Sequence, residues 1–205
     1  MRNALTSALR RLTTRSVVVI ALLPGALSAQ VQWTARLGAV VSTKIVSDEI
    51  VSPLTVTPAV APTLLLGGSI PMDAKGRRFS IELGLASGSY ASQENGTTTP
   101  LGTLRTATLT AGAGGFMVPH LRWRVALGFI KYLPAEKSGI FQDGAPTPLV
   151  GGAGLEYRHT WRPGWDLSAA IGWDYHRFTT PHLQSQGYTG SEDVHRITLT
   201  IGVAH

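Results

Sequence analysis

The sequence predicts an all-β chain: an eight-stranded antiparallel up-and-down transmembrane β-barrel. Short turns lie at one end and four longer loops at the other. Three observations predict it. Eight segments alternate apolar and polar residues with a period of two. The joins between them alternate strictly, short then long, as they do in barrels that cross a membrane. The apolar face carries aromatic rings near segment ends, while the other face holds glycine and charges of both signs.

The amino-terminal stretch stands apart. Residues 1–30 hold Arg2, Arg10, Arg11 and Arg15 and no acid; an apolar run from Val17 to Leu23 follows, then Pro24-Gly25 and the small-residue run "ALSAQ". This is the layout of a secretory signal peptide, removed after Ala29 or Gln30. The apolar run falls short of the ~20 residues a membrane-spanning helix needs. Losing four arginines and no acid takes the formal charge from +6 to +2, so the high isoelectric point owes much to the signal. No basic cluster with interleaved aromatics remains, which argues against a nucleic-acid partner. The chain has no cysteine, hence no disulfide, thiolate metal site or cysteine nucleophile. Residues 31–205 are enough for one domain.

The segments follow in order. The first sets Trp33, Ala35, Leu37, Ala39 and Val41 against Thr34, Arg36, Gly38, Val40 and Ser42; the second sets Leu64, Leu66 and Ile70 against Thr63, Leu65, Gly67 and Ser69. The third alternates Phe79, Ile81, Leu83 and Leu85 with Ser80, Glu82 and Gly84, and the fourth Ala107, Leu109, Ala111 and Ala113 with threonines and glycines. The fifth runs through Trp123, Val125, Leu127 and Phe129 with Arg122 and Arg124 opposite, and the sixth through Leu149, Ala153, Leu155 and Tyr157 with Glu156 and Arg158 opposite. The seventh alternates Trp165, Leu167, Ile171, Trp173 and Tyr175 with Asp166, Ser168, Asp174 and His176. The eighth, "RITLTIGVAH", alternates Ile197, Leu199, Ile201 and Val203 with Arg196 and threonines up to His205. The short joins are "MDAKGR", "VPHL" and "TWRPG"; the long ones are "VSDEIVSPLTVT", "SQENGTTTPLG", "PAEKSGIFQDGAPTP" and "TPHLQSQGYTGSED".

Alternation alone does not say which face meets water. A soluble, lipocalin-like ligand-binding barrel puts the apolar face inside, and a membrane barrel puts it outside. The aromatics favour the membrane. Trp33, Phe79, Trp123 and Trp165 sit at the turn side, and Phe129, Tyr132, Trp173 and Tyr175 toward the loop side, two levels that suit the two interfaces of a bilayer. Inward glycines make room in a crowded lumen. A terminal strand that must close the ring by pairing with the first explains a pattern running through Ile197, Leu199, Ile201, Val203 and His205.

On this topology, residues 31–205 resemble the small eight-stranded outer-membrane barrels of the OmpA/OmpX type. The resemblance implies an outer membrane of the Gram-negative type, periplasmic turns and chain ends, and outer loops. It also implies contact with outer-membrane lipid and lipopolysaccharide, and handling by periplasmic chaperones and the barrel assembly machinery. Such barrels usually end on an aromatic residue, and His205 stands there in this chain.

The inward ionic set is the first candidate for function. Arg36, Arg124, Arg158 and Arg196 against Glu82, Glu156 and Asp174 read as a structural network that plugs a narrow lumen; a narrow pore is the sharper alternative. A lipid-modifying deacylase or acyltransferase is the enzymatic alternative. Its available pieces are His176 with Asp174, and His182 with Ser185, with no serine placed to serve the first pair. No catalytic residue is therefore assigned. The glycine pairs lack the strand-to-helix setting of a phosphate loop, "NGT" at 95–97 reads as a turn, and scattered histidines offer no metal site or cofactor. Asp48, Glu49, Glu192 and Asp193 read as solvated loop charge. The expected role is structural or interactive, a monomer that displays its outer loops for envelope integrity, adhesion or surface binding.

Overall fold

The computed structural model describes residues 31–48, 54–136, 139–188 and 190–205. The expected signal segment, residues 1–30, and Glu49 lie outside them. Ten strands and one short helix are described: β1 (Gln32–Ser42), β2 (Val46–Asp48), β3 (Leu54–Pro58), β4 (Ala61–Pro71), β5 (Arg78–Glu94), β6 (Thr97–Val118), β7 (Leu121–Pro134), β8 (Leu149–Arg162), β9 (Trp165–Phe178), α1 (Pro181–Ser185) and β10 (Glu192–Ala204). Eight of the strands close a ring in the order β1-β4-β5-β6-β7-β8-β9-β10, all neighbours antiparallel, with β10 pairing back onto β1.

The seam explains the carboxyl-terminal pattern. Thr34 lies opposite Ala204 and Ser42 opposite Arg196. Beyond the last strand residue, the Trp33 and His205 amides and carbonyls exchange two hydrogen bonds of 2.8 and 2.9 Å, and the His205 ring sits edge-on to Trp165 at 4.6 Å. Two glycines let the seam strands approach. A Cβ on Gly38 would overlap the Leu199 carbonyl, and one on Gly202 the Ala35 carbonyl.

Alternation decides which way each residue points. Leu37, Leu127, Leu149 and Ile201 are each more than 60% exposed on the outer wall, whereas Arg36, Glu82, Arg158 and Arg196 are buried. A wall this apolar is not a water surface, because monomers in water seldom expose contiguous apolar patches beyond ~600 Å². The soluble alternative required the apolar face inside; it lies outside. No described helix is long and apolar enough to cross a membrane, which says nothing of strands.

Two joins differ from expectation. The stretch "SQENGTTTPLG" is a strand hairpin rather than a loop: β5 and β6 continue to Glu94 and Thr97 and turn through Asn95 (φ 47°) and Gly96 (φ 81°). Positive φ at both central residues is the turn whose twist matches a hairpin. The join after β1 supplies β2 and β3, and β3 pairs with the upper part of β5 from Glu94 to Tyr90. The upper ends of β5 and β6 therefore belong to a four-stranded blade that continues the wall past β4 and β7. From Ala86, the last β5 residue paired with β4, the chain runs ~25 Å along the strand to Glu94.

The interior has two storeys. The ionic one occupies the turn end and middle. The loop end holds an apolar core in which Phe141 (0% exposed), from a 3₁₀ turn at Gly139–Phe141, packs among Tyr90, Tyr132 and Phe178 at centroid distances of 6.0–6.3 Å. Leu183 of α1 and Val56 of β3 join the same core. Thr180 caps α1, its hydroxyl accepting from the Leu183 amide at 3.2 Å, and Pro181 follows at the first helical position.

Candidate functional site: the lumen and its two ends

Register places the lumen charges. Arg36 lies opposite Gly202, Glu82 opposite Gly67, Arg124 between Gly114 and Gly154, and Asp174 opposite Gly152. Pairing a long charged side chain with a residue that has none lets it extend across a narrow lumen. Glu82 is the hub. One carboxylate oxygen takes Arg36, and the other takes Arg124 at 2.5 Å. Glu156 accepts Arg158 at 2.9 Å and lies 3.9 Å from Arg36. Arg158 also donates to the Gln32 side chain at 2.5 Å, tying β8 to β1 across the lumen.

Five of the seven expected lumen residues thus form one connected set: Arg36, Glu82, Arg124, Glu156 and Arg158. Asp174 and Arg196 face each other in register on β9 and β10, but no ion pair within 4.0 Å joins them. Arg78 and Arg122 line the same cavity and were not expected there. Arg122 was legible: it shares the parity of Arg124, two residues on. Arg78 is the first residue of β5, one position before the segment read from sequence.

One aromatic assignment is corrected. Tyr132 was expected at the membrane interface and is 2% exposed inside the barrel. In β7 the inward parity is that of Arg122 and Arg124, and Ile130 and Tyr132 continue it. Toward the loop end the inward side chains change from charged to apolar, and an apolar inward residue resembles a lipid-facing one in composition. The Tyr132 hydroxyl meets Nε2 of His176 at 2.6 Å, where the two storeys join. The remaining expected aromatics point outward. Trp33, Phe79, Trp123 and Trp165 lie toward the turn end and Phe129, Trp173 and Tyr175 toward the loop end. From Trp165 to Trp173 the strand rises ~20 Å at an ordinary barrel tilt. Tyr157 and Trp161 add exposed rings at the turn end that the sequence reading did not select. In β10, Ile197, Leu199 and Ile201 are at least half exposed on the wall.

The pieces weighed for acyl chemistry are placed as follows. His176 is buried and bonded to Tyr132, and its Nδ1 has no partner, so it makes no hydrogen bond to Asp174. His182 meets Asp143 through Nδ1 at 2.9 Å. Ser185 donates its hydroxyl to the His182 carbonyl at 2.8 Å rather than to the imidazole. A serine whose proton rests on a backbone carbonyl is not activated by a base.

No family model and no curated protein matches the chain. Solved structures do. Neisserial surface protein A aligns at a TM-score of 0.60 and 10% identity, covering 85% of this chain and 95% of that one. The outer-membrane protein AlkL, determined in lipid bilayers, aligns at 0.55 and 10%, covering 86% and 90%. OprG, an outer-membrane protein of Pseudomonas aeruginosa, aligns at 0.50 and 9%, covering 84% and 94%. At such identity the likeness is one of fold, and the fold of this chain is that of the small eight-stranded outer-membrane β-barrels.

Proposed function

We propose that this chain resides in an outer membrane and acts through its loop end, as an anchored surface that binds other molecules rather than as a conduit. One observation carries the reading. The loop end of the lumen is filled by the core around Phe141, while the blade of β2, β3, β5 and β6 continues past the wall with polar, hydrogen-bonding residues exposed. Thr97, Thr98 and Thr99 at its tip are exposed, as are Gln93 and Glu94 beside them. A closed cylinder with an apolar wall supplies the anchor, and the loops and hairpins supply the contacts.

The reading also assigns the rings toward the two ends of the wall to the two membrane interfaces, with lipid and lipopolysaccharide as the immediate surroundings. The first test is fractionation joined to gel mobility. The folded protein in detergent should run differently before and after boiling and should fractionate with outer membranes. Intact cells should lose the blade to added protease while the barrel survives. Recovery as a freely soluble periplasmic protein would overturn the reading. A blade buried from protease on intact cells, with the turn end accessible instead, would reverse the orientation.

A further inference from the structure

The lumen carries more positive charge than its acids balance. Its wall holds Arg36, Arg78, Arg122, Arg124, Arg158 and Arg196 against Glu82, Glu156 and Asp174. Even with Asp166 at the rim added to the acids, two positive charges remain in excess among these residues. One of the two lies at the turn end, where Arg78, Arg122 and Arg158 stand with Glu156 and Asp166, and the other deeper, where Arg36, Arg124 and Arg196 stand with Glu82 and Asp174. Arg36 and Arg124 share Glu82 deeper in. Toward the mouth stand Arg78 on β5, Arg122 on β7 and Arg158 on β8, each within the field of another.

The acids there are already engaged. Glu156 holds Arg158 and reaches toward Arg36, and Asp166 accepts the Thr160 hydroxyl at 2.8 Å. Arg122, only 8% exposed, makes no ion pair among the described residues, and its guanidinium lies 4.7 Å from the centre of the Phe116 ring. Nε of Arg158 and the hydroxyl of Ser168 are buried without a hydrogen-bond partner. Arg78 donates to Ser69, to its hydroxyl at 2.9 Å and its carbonyl at 2.8 Å. Arg122 is thus a buried guanidinium without an ion pair among the described residues, beside two unpartnered donors, a costly arrangement that invites a counter-ion.

We propose that the turn-end mouth of the lumen binds a phosphoryl oxyanion, held by Arg122 and Arg158, with Arg78 beside them and the Ser168 hydroxyl as a neutral donor. Guanidinium forks match the tetrahedral oxygens of phosphate in pairs. Free phosphate carries about −1.5 to −2 charges and a phosphodiester headgroup one, and either presents several acceptor oxygens to these donors where a halide presents a single centre. The cavity, about 100 Å³, is lined by Arg78, Arg122 and Arg158 and runs to Asp174 and Arg196, with Ser168 opposite Arg158 in the strand register, so the anion enters a chamber that already exists. The phosphoryl group has two possible sources: free phosphate in the aqueous mouth, or the headgroup of a phospholipid whose leaflet borders the turn end.

The test uses the folded barrel in a non-ionic maltoside detergent, free of phosphate. Inorganic phosphate is titrated against sodium chloride of equal ionic strength, following the thermal unfolding midpoint and the phosphorus-31 line width. In parallel the barrel is placed in discs of phosphatidylglycerol or of an uncharged galactolipid. A saturable rise in midpoint with phosphate, weakened about tenfold or more by Arg122→Gln, supports a free anion. A midpoint raised only by phosphatidylglycerol, and lost in Arg122→Gln, supports the headgroup. Equal responses to chloride and phosphate, responses unchanged by Arg122→Gln, or no response in either arm would overturn the proposal. Should Arg122→Gln not refold, Arg78→Gln, nearer the rim, takes its place with the same expectations.

Discussion

At the scale of single residues, the lumen charges define a test of what the ionic storey does. Glu156 is half of two contacts, and its removal leaves Arg158 with no acid within 4.0 Å and Arg36 with Glu82 alone. Breaking a buried pair from one side strands a charge, so Glu156→Ala should lower unfolding stability in micelles by about 3 kcal/mol or more. A midpoint equal to wild type would show that the network does not hold the barrel together. A second residue can be read through pH. Asp73, in the exposed turn between β4 and β5, accepts the backbone amides of Lys75 and Arg77 at 3.0 Å each and the Arg77 guanidinium at 2.5 Å. The Arg77 side chain, first among these, holds the Asp73 carboxyl below its ordinary value of 3.8. A lowered carboxylate value means that the turn is intact above the ordinary range and loosens as pH falls through the lowered one. Amide exchange at Lys75 and Arg77 should therefore quicken, relative to its own intrinsic rate, only under strongly acid conditions. Quickening already near pH 5 would contradict this placement of Asp73.

At the scale of elements, the ring strands were legible because each has one face in the lumen and the other on the apolar wall, and two unlike environments write a period of two into the sequence. The blade was not legible for the converse reason. Beyond the rim both faces of β5 and β6 carry polar residues, so "SQENGTTTPLG" loses its alternation and reads as a loop. The three and five residues of β2 and β3 are too few to show a period. Among the candidate site residues, parity carried Arg36, Glu82, Arg124, Glu156 and Arg158 into one network. It was passed over for Arg122 and Tyr132, the latter set aside for its composition. The blade's outer edge is blunted by Pro100, which has no amide to offer, and by the irregularity at Tyr90/Ala91 on the partner strand. Its tip depends on the Asn95-Gly96 turn, where a left-handed conformation costs an ordinary side chain ~1–2 kcal/mol. Replacing both by alanine should abolish exchange protection from Gln93 to Thr99 and leave the ring strands protected. Loss of protection reaching Leu83 and Leu109 would mean that the hairpin and the ring unfold as one unit.

At the scale of the whole molecule, the two storeys act as barriers in series. An ion entering from the turn end meets the arginine mouth, then the network on Glu82, then the core around Phe141. Opening one barrier leaves the others. Phe141→Ala removes a ring buried against Tyr90, Tyr132 and Phe178, and should cost about 3–5 kcal/mol of stability through the cavity it leaves. It leaves Arg36, Glu82 and Arg124 spanning the lumen below. Conversely, replacing that trio by alanine clears the middle and leaves the loop end filled. In planar bilayers, wild type and both single-storey variants should show no steady conductance, and only the variant combining Phe141→Ala with the trio should pass current. Steady wild-type current would mean that one storey opens spontaneously, and the barrel would then be a pore. Current through Phe141→Ala alone would place the whole seal at the loop end and reduce the lumen charges to a lining, because a lattice of ion pairs that passes ions freely is not a barrier.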